Sequence, residues 1–404
     1  MRGKREKTIR CLLAPERRAA AGGVVKALLL VVLSFSPPVL RGGDGVNRDD
    51  PNFVTVSLLL TTPGKEIFSC AGHTCFRMEC PQFKLDTCYS YESESAYSRL
   101  LAFFAGKLKM GMFAFPTKDY LAEYAKDGRG VRQYRLDLSP AAKVRLWKLL
   151  DDKVALGADQ PYDYERRGCA QSTFRLLQEA LLPECLTIAR WPEKYRGKRR
   201  QIIASAIDNS PWSRIAIHTI VGSGGDRDVT TFEKVVIPRD LVDILKLATV
   251  DGRAVIAAGE EKVLLAEDHH DVAAWLTPVR AAVVFLLLAL ANWFLGSKAV
   301  DCVFLAIQTA IGLFLAYLVC FSGLPATEWN WLCVPFNPLP LALWRWRRLW
   351  AWPFAAVLVA WSAGMILSPE MLTDPAYVIF ALALAFNYGR MRTDGLRKRR
   401  GGRT

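Results

Sequence analysis

The most constraining feature of this sequence is a long apolar region near its C-terminal end, residues 277–389, which is dominated by Leu, Ala, Val, Phe and Trp. A helix of about 20 apolar residues is long enough to cross the ~30 Å hydrocarbon core of a membrane. We predict membrane spans near 279–296, 301–322, 350–368 and 375–389. The region is therefore expected to be an all-α membrane bundle, whereas residues 44–276 have the composition of an ordinary soluble domain.

The distribution of positive charge predicts the orientation of these spans. The chain has 53 Lys and Arg against 39 Asp and Glu, a formal net charge of +14. Basic clusters occur at residues 2–26, 345–348 and 390–403. Lys and Arg resist translocation, so such clusters mark the cytoplasmic side of hydrophobic spans. Because this origin of basic tails is commoner than a nucleic-acid partner, no nucleic-acid binding is expected.

A fifth crossing follows from this orientation. If residues 44–276 lie outside and every basic cluster lies inside, the stretch 329–344 must also cross the membrane. This stretch is short and contains three prolines. It is therefore predicted to be an irregular, kinked crossing, whose free backbone groups must be satisfied by neighbouring helices. The predicted bundle thus has five spans.

The N-terminal residues 1–43 combine a basic stretch with a short apolar core at 23–40. This layout is typical of a signal peptide or a signal anchor. No clear Ala-x-Ala site follows the core, so the sequence leaves cleavage open. The predicted organisation is a cytoplasmic and signal segment at 1–43, an extracytoplasmic domain at 44–276, a membrane bundle at 277–390 and a basic cytoplasmic tail at 391–404.

The predicted soluble domain has alternating patterns of both strands and helices, which indicates an α+β fold. Strands are expected at 53–60, 66–70, 74–79 and, after a loop at 81–87, through the sequence CYSYE, and again at 131–138. Helices are expected at 97–108, 117–126 and 139–156, the last with Ser139 as its cap, and from Cys169 onward.

Histidine is scarce, which makes each of the four informative. His269 and His270 lie in the acidic stretch AEDHHD, which is more typical of a solvated linker than of a metal site. His218 lies in an apolar run and is interpreted as a packed or surface residue. His73 differs, because it follows Gly72 and opens an alternating strand. Glycine permits a tight turn there, so the imidazole is expected to project from the start of that strand.

Among the ten cysteines, Cys169 stands out, since it follows Gly168 directly and opens an amphipathic helix. The unpaired N–H groups and the dipole of a helix N-terminus stabilise a thiolate. A histidine on a neighbouring strand would complete a nucleophile and its base. An inert structural cysteine remains the alternative to this interpretation.

Four further cysteines, Cys70, Cys75, Cys80 and Cys88, cluster around His73 in the sequence. Their spacings of five, five and eight residues differ from the close ligand pairs of common zinc sites, so no metal site is predicted. Disulfides or free buried thiols are favoured, and a Cys80–Cys88 disulfide would close a hairpin loop.

Several segments together resemble the Lnb family of bacterial lipoprotein N-acyltransferases. They are SLLLTTPGKEIFSCAGHTCFRM with His73, LLAFFAGKLKMGMF, YLAEYAKDGRGVRQYRLDLS, PYDYERRGCAQST with Cys169, PWSRIAIHTIVGSGGDRDVTTFEKVVIPRDL and EWNWLCVPFNPL. The resemblance covers nearly everything after residue 50. It implies a circularly permuted papain-like (NlpC-type) thiol domain, in which the histidine precedes the cysteine, followed by a five-helix transmembrane bundle.

The resemblance also implies an activity and a location. Cys169 would be the nucleophile and His73 its base, with no cofactor, in a multi-pass protein of the bacterial inner membrane whose catalytic domain faces the periplasm. The donor would be a phospholipid and the acceptor the α-amine of a diacylglyceryl-cysteine lipoprotein. The third catalytic residue is expected on or near the strand after His73, with Tyr91 as the candidate placed in the site and Asp86 and Glu79 as further possibilities.

One departure from the family pattern and two alternative functions bear on this interpretation. Where the family usually has Asn before the cysteine, this chain has Gly168, so no side chain is available there to orient the site. A membrane-tethered papain-like cysteine peptidase or amidase would use the same residues. A non-catalytic envelope assembly protein would be favoured if Cys169 were disulfide-bonded to Cys185.

Overall fold

The structure, a computed structural model of the chain, describes residues 50, 53–65, 69–93, 100–157, 160–162, 167–188, 198–205, 207, 210–229, 237–268, 275–325, 327–368 and 374–401. The predicted N-terminal segment 1–43 and the pair His269 and His270 lie outside these residues. Residues 48–404 form one compact unit by their contacts.

In the described residues between 55 and 265, strands and helices are interspersed, which is the mixed α+β pattern that the sequence predicts. The strands are β1 Thr55–Thr61, β2 His73–Cys80, β3 Leu85–Ser93, β4 Lys109–Pro116, β5 Val131–Leu136, β6 Gln160–Pro161, β7 Leu186–Ile188, β8 Ala248–Val250, β9 Arg253–Ala254 and β10 Ile256–Leu265. The helices of this part are α1 Leu100–Phe104, α2 Thr117–Lys126, α3 Pro140–Leu156, α4 Cys169–Ala180, α5 Arg199–Ser205, α6 Pro211–Ile220 and α7 Pro238–Lys246. The C-terminal helices are α8 Pro278–Leu295, α9 Lys298–Phe321, α10 Leu339–Ala342, α11 Arg347–Leu367 and α12 Pro375–Gly401.

Seven strands form one antiparallel sheet in the order β10-β5-β1-β2-β3-β4-β6. Leu59 of β1 lies opposite Cys75 of β2, and Cys75 lies opposite Ser90 of β3. One face of the sheet packs against α2 through Leu59, Cys75 and Tyr120. Helix α4 packs against β2 and β3. The middle of the sheet is thereby buried between helices. The first residues of β2 lie at one end of the sheet.

Two elements differ from the sequence prediction near the site. Of the helix expected at 97–108, the described part from residue 100 onward is helical only in α1, and it is followed at Lys109 by β4, a strand that the sequence does not predict. The loop expected at 81–87 is shorter, because the chain turns through Pro81–Phe83 and re-enters the sheet at Leu85. The shorter loop alters which residues of β3 lie beside His73.

The C-terminal part is helical, and three of its described helices are long and apolar enough to cross a membrane: Pro278–Leu295, Lys298–Phe321 and Leu349–Leu367. Helix α12 packs against α8 and α11, and its residues Leu384 and Tyr388 are fully buried. It continues to Gly401, beyond the end predicted for the last span.

A buried polar cluster joins α8, α9 and α12. Asn292 donates to Asp301 at 2.9 Å, and Arg390 forms an ion pair with Asp301. Both charged side chains are almost fully buried. Removing one member of such a buried pair leaves an uncompensated charge, so this cluster fixes the relative position of the three helices.

The stretch predicted as the irregular crossing, 329–344, is not a continuous helix. It consists of a short 3-10 turn at Trp331–Cys333, helix α10 and a second turn beginning at Trp344. Gln308, near the middle of α9, donates to the carbonyl of Pro335 at 2.8 Å. A neighbouring helix thus satisfies a backbone group in this stretch, as irregular backbone among apolar helices requires.

Candidate active site

The thiol of Cys169 lies at the first residue of α4. Gly168 is the residue before the helix, and its N–H donates to the side-chain oxygen of Gln171 at 3.2 Å. The helix forms here because apolar residues recur on one side, where Phe174, Leu177 and others are buried. The half-buried thiol therefore lies among the first N–H groups of the helix, which have no carbonyl partner within it.

His73 is positioned by a tight turn at the start of β2. Gly72 has φ +84, and a Cβ atom there would lie 2.7 Å from the carbonyl oxygen of Thr61. Only glycine adopts this positive φ without strain and also leaves out the Cβ atom for which there is no space. The turn brings the imidazole of His73 to the end of the sheet, where 13% of its side chain is exposed.

The structure brings Cys169 and His73 together, although 95 residues separate them in the sequence. Their side chains are hydrogen-bonded, and the backbone N–H of Thr74 donates to the sulfur of Cys169. Burial raises the pKa of this thiol, but the charge and hydrogen bond of His73 and the N–H of Thr74 lower it more. The pKa of Cys169 consequently lies below its ordinary value.

Two residues of β3 contact the imidazole at Nε2. His73 Nε2 lies 2.7 Å from Ser90 Oγ and 3.4 Å from Glu92 Oε1. Ser90 donates its hydroxyl to Glu92 at 2.6 Å. Because that hydroxyl proton is directed at Glu92, Ser90 accepts from Nε2, and the neutral imidazole carries its proton there. Nδ1 is then the nitrogen that can take the proton of the thiol.

The charges around His73 favour its protonated form. Burial lowers the pKa of the imidazole, but Tyr124, Cys169 and Glu92 raise it by a larger amount, so the pKa of His73 lies well above its ordinary value. Burial likewise raises the pKa of the Glu92 carboxyl, but the charge and hydrogen bond of His73 and the hydrogen bond of Ser90 hold it below the usual range. The lowered pKa of the Cys169 thiol and the raised pKa of the His73 imidazole together favour a thiolate–imidazolium pair near neutral pH.

Tyr91, the residue expected to complete the site, does not contact His73. Successive side chains of a strand point to opposite faces, so Tyr91 points away from the face that carries Ser90 and Glu92. It lies near Glu179 of α4, and burial together with that charge raises the pKa of its phenol to about 12. Ser90 and Glu92, rather than Tyr91, are the residues of β3 that lie beside His73.

The two alternative carboxylates are also engaged elsewhere. Asp86 and Glu79 both pair with Arg77, at 2.7 Å and 3.0 Å. Asp86 additionally accepts from the hydroxyl of Thr117 at 2.5 Å. Neither carboxylate is therefore the partner of His73.

The structure does not contain the predicted Cys80–Cys88 disulfide. Both cysteines are free. Cys80 is paired with Leu85 across the hairpin and contacts the carbonyl of Phe53, whereas Cys88 contacts Thr117 on the α2 face. The register places the two thiols on opposite faces of the sheet, so no bond can join them.

The remaining cysteines do not form a ligand set either. Cys169 and Cys185 are both free, so the disulfide that would have favoured a non-catalytic protein is absent. The thiols of Cys75 and Cys88 are hydrogen-bonded to each other beneath α2, while Cys70 packs against Val221. Among the residues that the structure describes, no group of three or more His, Cys, Asp or Glu could hold a metal ion.

We expect substitution Glu92→Gln to move both limbs of the pH profile of kcat/KM to lower pH. The Glu92 charge raises the pKa of His73 and of Cys169, so its loss lowers both. Loss of the carboxylate behind the base should also lower kcat/KM by about tenfold to a hundredfold. Asp86→Asn is the matched control, because it removes a carboxylate of the same strand that pairs with Arg77 instead. Equal profiles for the Glu92 variant and the wild type would contradict this role.

Fold and site together define a membrane protein whose mixed α+β domain carries a cysteine–histidine pair. Residues 46–192, which include both members of the pair, match the family model of the Lnb N-terminal periplasmic domain. The match confirms the resemblance to the Lnb family over this segment, so the chain carries an Lnb-type N-terminal periplasmic domain. No curated protein and no solved structure matches the chain.

Proposed function

We propose that this protein is a lipoprotein N-acyltransferase that carries an acyl group on Cys169 as a thioester. The observation that carries the proposal is the hydrogen-bonded Cys169–His73 pair, backed by Ser90 and Glu92, within the segment that matches the Lnb domain. The order of the pair in the chain, a strand histidine before a helix-start cysteine, supports a circularly permuted papain-like arrangement.

The first half-reaction would acylate the enzyme. His73 takes the proton of the Cys169 thiol, and the thiolate attacks the carbonyl carbon of a phospholipid ester. The developing oxyanion is stabilised by N–H groups at the start of α4. When the ester C–O bond breaks, imidazolium returns the proton to the leaving alkoxide. The products are the Cys169 thioester and a lysophospholipid.

The second half-reaction would transfer the acyl group to nitrogen. The neutral α-amine of a diacylglyceryl-cysteine attacks the thioester carbonyl, which amines attack more readily than an oxygen ester. His73 accepts the proton that the amine loses, and the C–S bond breaks. The Cys169 thiolate is regenerated and the lipoprotein leaves with an amide at its N-terminus.

The membrane part supports lipid rather than soluble substrates. Both proposed substrates are anchored in the outer leaflet of the inner membrane. The domain is joined to a helical part with three membrane-competent helices, and the two parts form one compact unit. The proposed arrangement is a multi-pass protein whose basic clusters at 345–348 and 390–403 face the cytoplasm.

The experiment that tests this function compares a lipoprotein from cells with and without the protein. We expect mass spectrometry of the N-terminal lipopeptide to show one additional acyl chain, as an amide, only when the wild-type protein is present. Cells producing the Cys169→Ala variant serve as the control for protein production. An unchanged lipopeptide would contradict the proposal, and cleavage of an envelope peptide in its place would favour a cysteine peptidase or amidase.

A further inference from the structure

Helix α1 is a short helix of the outer domain that lies against the membrane bundle. The ring of Phe104 packs against Phe314 of α9, with centroids 5.0 Å apart and planes nearly perpendicular. Phe103 belongs to the same apolar cluster as Leu318 of α9. The inward side of α1 is therefore part of the packing of a membrane-competent helix.

The position of this contact along α9 indicates its depth. Phe314 lies seven residues before the end of α9 at Phe321. At 1.5 Å per residue, this places the contact about 10 Å inside the end of the helix. Helix α9 has 24 residues, and its length of about 36 Å exceeds the ~30 Å hydrocarbon core by only a few ångströms at each end. The inner side of α1 therefore lies at the depth of the outer leaflet and not above it.

The backbone carbonyls at the end of α1 accept hydrogen bonds from the helical C-terminal part, as a position at the depth of the outer leaflet requires. The carbonyl of Phe104 accepts from the hydroxyl of Ser322 at 2.6 Å, and the carbonyl of Ala105 accepts from the N–H of Gly323 at 3.2 Å. The two segments of the chain approach closely here, since a Cβ atom on Gly106 would lie 2.4 Å from the carbonyl carbon of Gly323. Unsatisfied carbonyls would be costly in a medium without water.

The outward side of α1 is apolar and uncovered. Leu101 is 81% exposed and Leu100 is 40% exposed. On α9, Phe321 is 76% exposed and Leu313 is 58% exposed, so the apolar surface of α1 continues the apolar surface of the bundle. Lys107, which follows the helix, is also exposed, and its charge suits the level of the phosphate headgroups.

We propose that α1 is inserted in the outer leaflet of the bilayer, where Leu100 and Leu101 contact the acyl chains of phospholipid. The depth of the contact, the satisfied carbonyls and the continuity with α9 all point to lipid as the occupant of this surface. Leu101 would then be covered by hydrocarbon in the native membrane.

The insertion of α1 also gives donor lipid a short route to the thiol, an extension that rests on the proposed function. Strand β4 begins five residues after α1 and pairs with β3, with Gly111 opposite Glu92. Glu92 is the carboxylate behind His73. The chain therefore runs from α1 directly into the strand that pairs with the strand of Glu92.

Photocrosslinking tests the contact without using activity. The photoreactive residue p-benzoylphenylalanine is placed at position 101 of the full-length protein in nanodiscs of phosphatidylethanolamine and phosphatidylglycerol. The matched control is position 182, because Leu182 is 78% exposed on the outer domain. We expect lipid adducts, identified by mass, to be about tenfold more abundant at position 101 than at position 182, as hydrocarbon burial of an inserted leucine implies. Equal adduct levels at the two positions would overturn the insertion.

A second measurement tests the lipid route. Leu101→Asp is expected to slow acylation of Cys169 by bilayer phospholipid about tenfold, because an inserted carboxylate is costly. Acylation by a water-soluble aryl butyrate should be unchanged, and Leu182→Asp should alter neither rate. An equal loss with both donors would overturn the route, since Leu101 would then serve the fold of the site. If the wild-type thiol accepts neither donor, the proposed function fails, while the crosslinking result still decides the insertion.

Discussion

Replacing Cys169 by serine is expected to lower turnover by at least about a thousandfold, because loss of a covalent nucleophile ordinarily costs several orders of magnitude. The hydroxyl of serine ionises far less readily than the thiol. In the wild type, His73 and the N–H of Thr74 lower the pKa of Cys169 further against the effect of burial. His73→Ala should have an effect of similar size, since it removes both the base and the charge that stabilises the thiolate.

Matched variants separate this chemistry from a loss of structure. Cys185→Ser removes an exposed thiol whose contact is the Thr187 hydroxyl and should leave turnover unchanged. Tyr91→Phe removes the hydroxyl that the sequence suggested for the site but that the structure places on the other face of β3, and it should also retain activity. Membrane insertion of each variant is checked by its yield and thermal stability in detergent. Retention of more than about a tenth of wild-type turnover by the Cys169 or His73 variant would refute the assignment.

The two central site residues could be predicted from the sequence because each has a local signal. Gly72 before a strand marks the turn at His73, and Gly168 before an amphipathic helix marks the helix start at Cys169. Their contact arises from the packing of α4 against β2, which no local pattern encodes. It was inferred from the chemistry that a thiol and an imidazole perform together and from the Lnb resemblance.

The partners Ser90 and Glu92 were missed because they depend on the register of a hairpin. The chain turns at Pro81–Phe83 with Lys84 at φ 50, a left-handed conformation that favours Gly or Asn. Because neither residue is present, no local pattern indicates so short a turn, and the predicted loop extends to residue 87. The observed register, Cys75 opposite Ser90, places Glu92 across from His73 when it is continued by two residues. The alternation of the strand then excludes Tyr91.

The same register explains the missing disulfide. Cys80 and Cys88 are close in sequence, which suggested that a bond would close the loop. Their separation of eight residues along the hairpin places them on opposite faces, since Cys80 aligns with Leu85 while Cys88 aligns with Arg77. Closeness in sequence is a poor guide to pairing on strands, because successive side chains point to opposite faces.

Hydropathy predicted the long apolar helices but not how the outer domain meets them. The predicted spans near 279–296, 301–322 and 350–368 correspond to three membrane-competent helices. The contact of α1 with the end of α9 joins residues 218 positions apart, Phe104 and Ser322. A five-residue helix carries too little periodicity to show which side will be buried, so this contact required the structure.

A stable acyl mass on the peptide that contains Cys169 is the second large effect that we expect. Wild-type protein incubated with phospholipid, without an amine acceptor, should accumulate the thioester, since the second half-reaction lacks its nucleophile. After denaturation, neutral hydroxylamine should remove the added mass, as it does for thioesters and not for amides. Adding a diacylglyceryl-cysteine peptide before denaturation should discharge the enzyme and yield an N-acylated peptide.

Three controls make the measurement specific to the proposed mechanism. Cys169→Ala should acquire no acyl mass at this peptide, and the exposed Cys185 should remain unlabelled because its thiol contacts the Thr187 hydroxyl and not His73. His73→Ala should label at least about a hundredfold more slowly, since its thiol lacks a general base. If the wild-type protein acylates a lipoprotein while Cys169 never acquires the mass, the acyl group passes directly between substrates. The pair of Cys169 and His73 would then have to act by positioning the amine, because a thiolate that forms no bond to the acyl carbon contributes only its charge and its hydrogen bonds to the reaction.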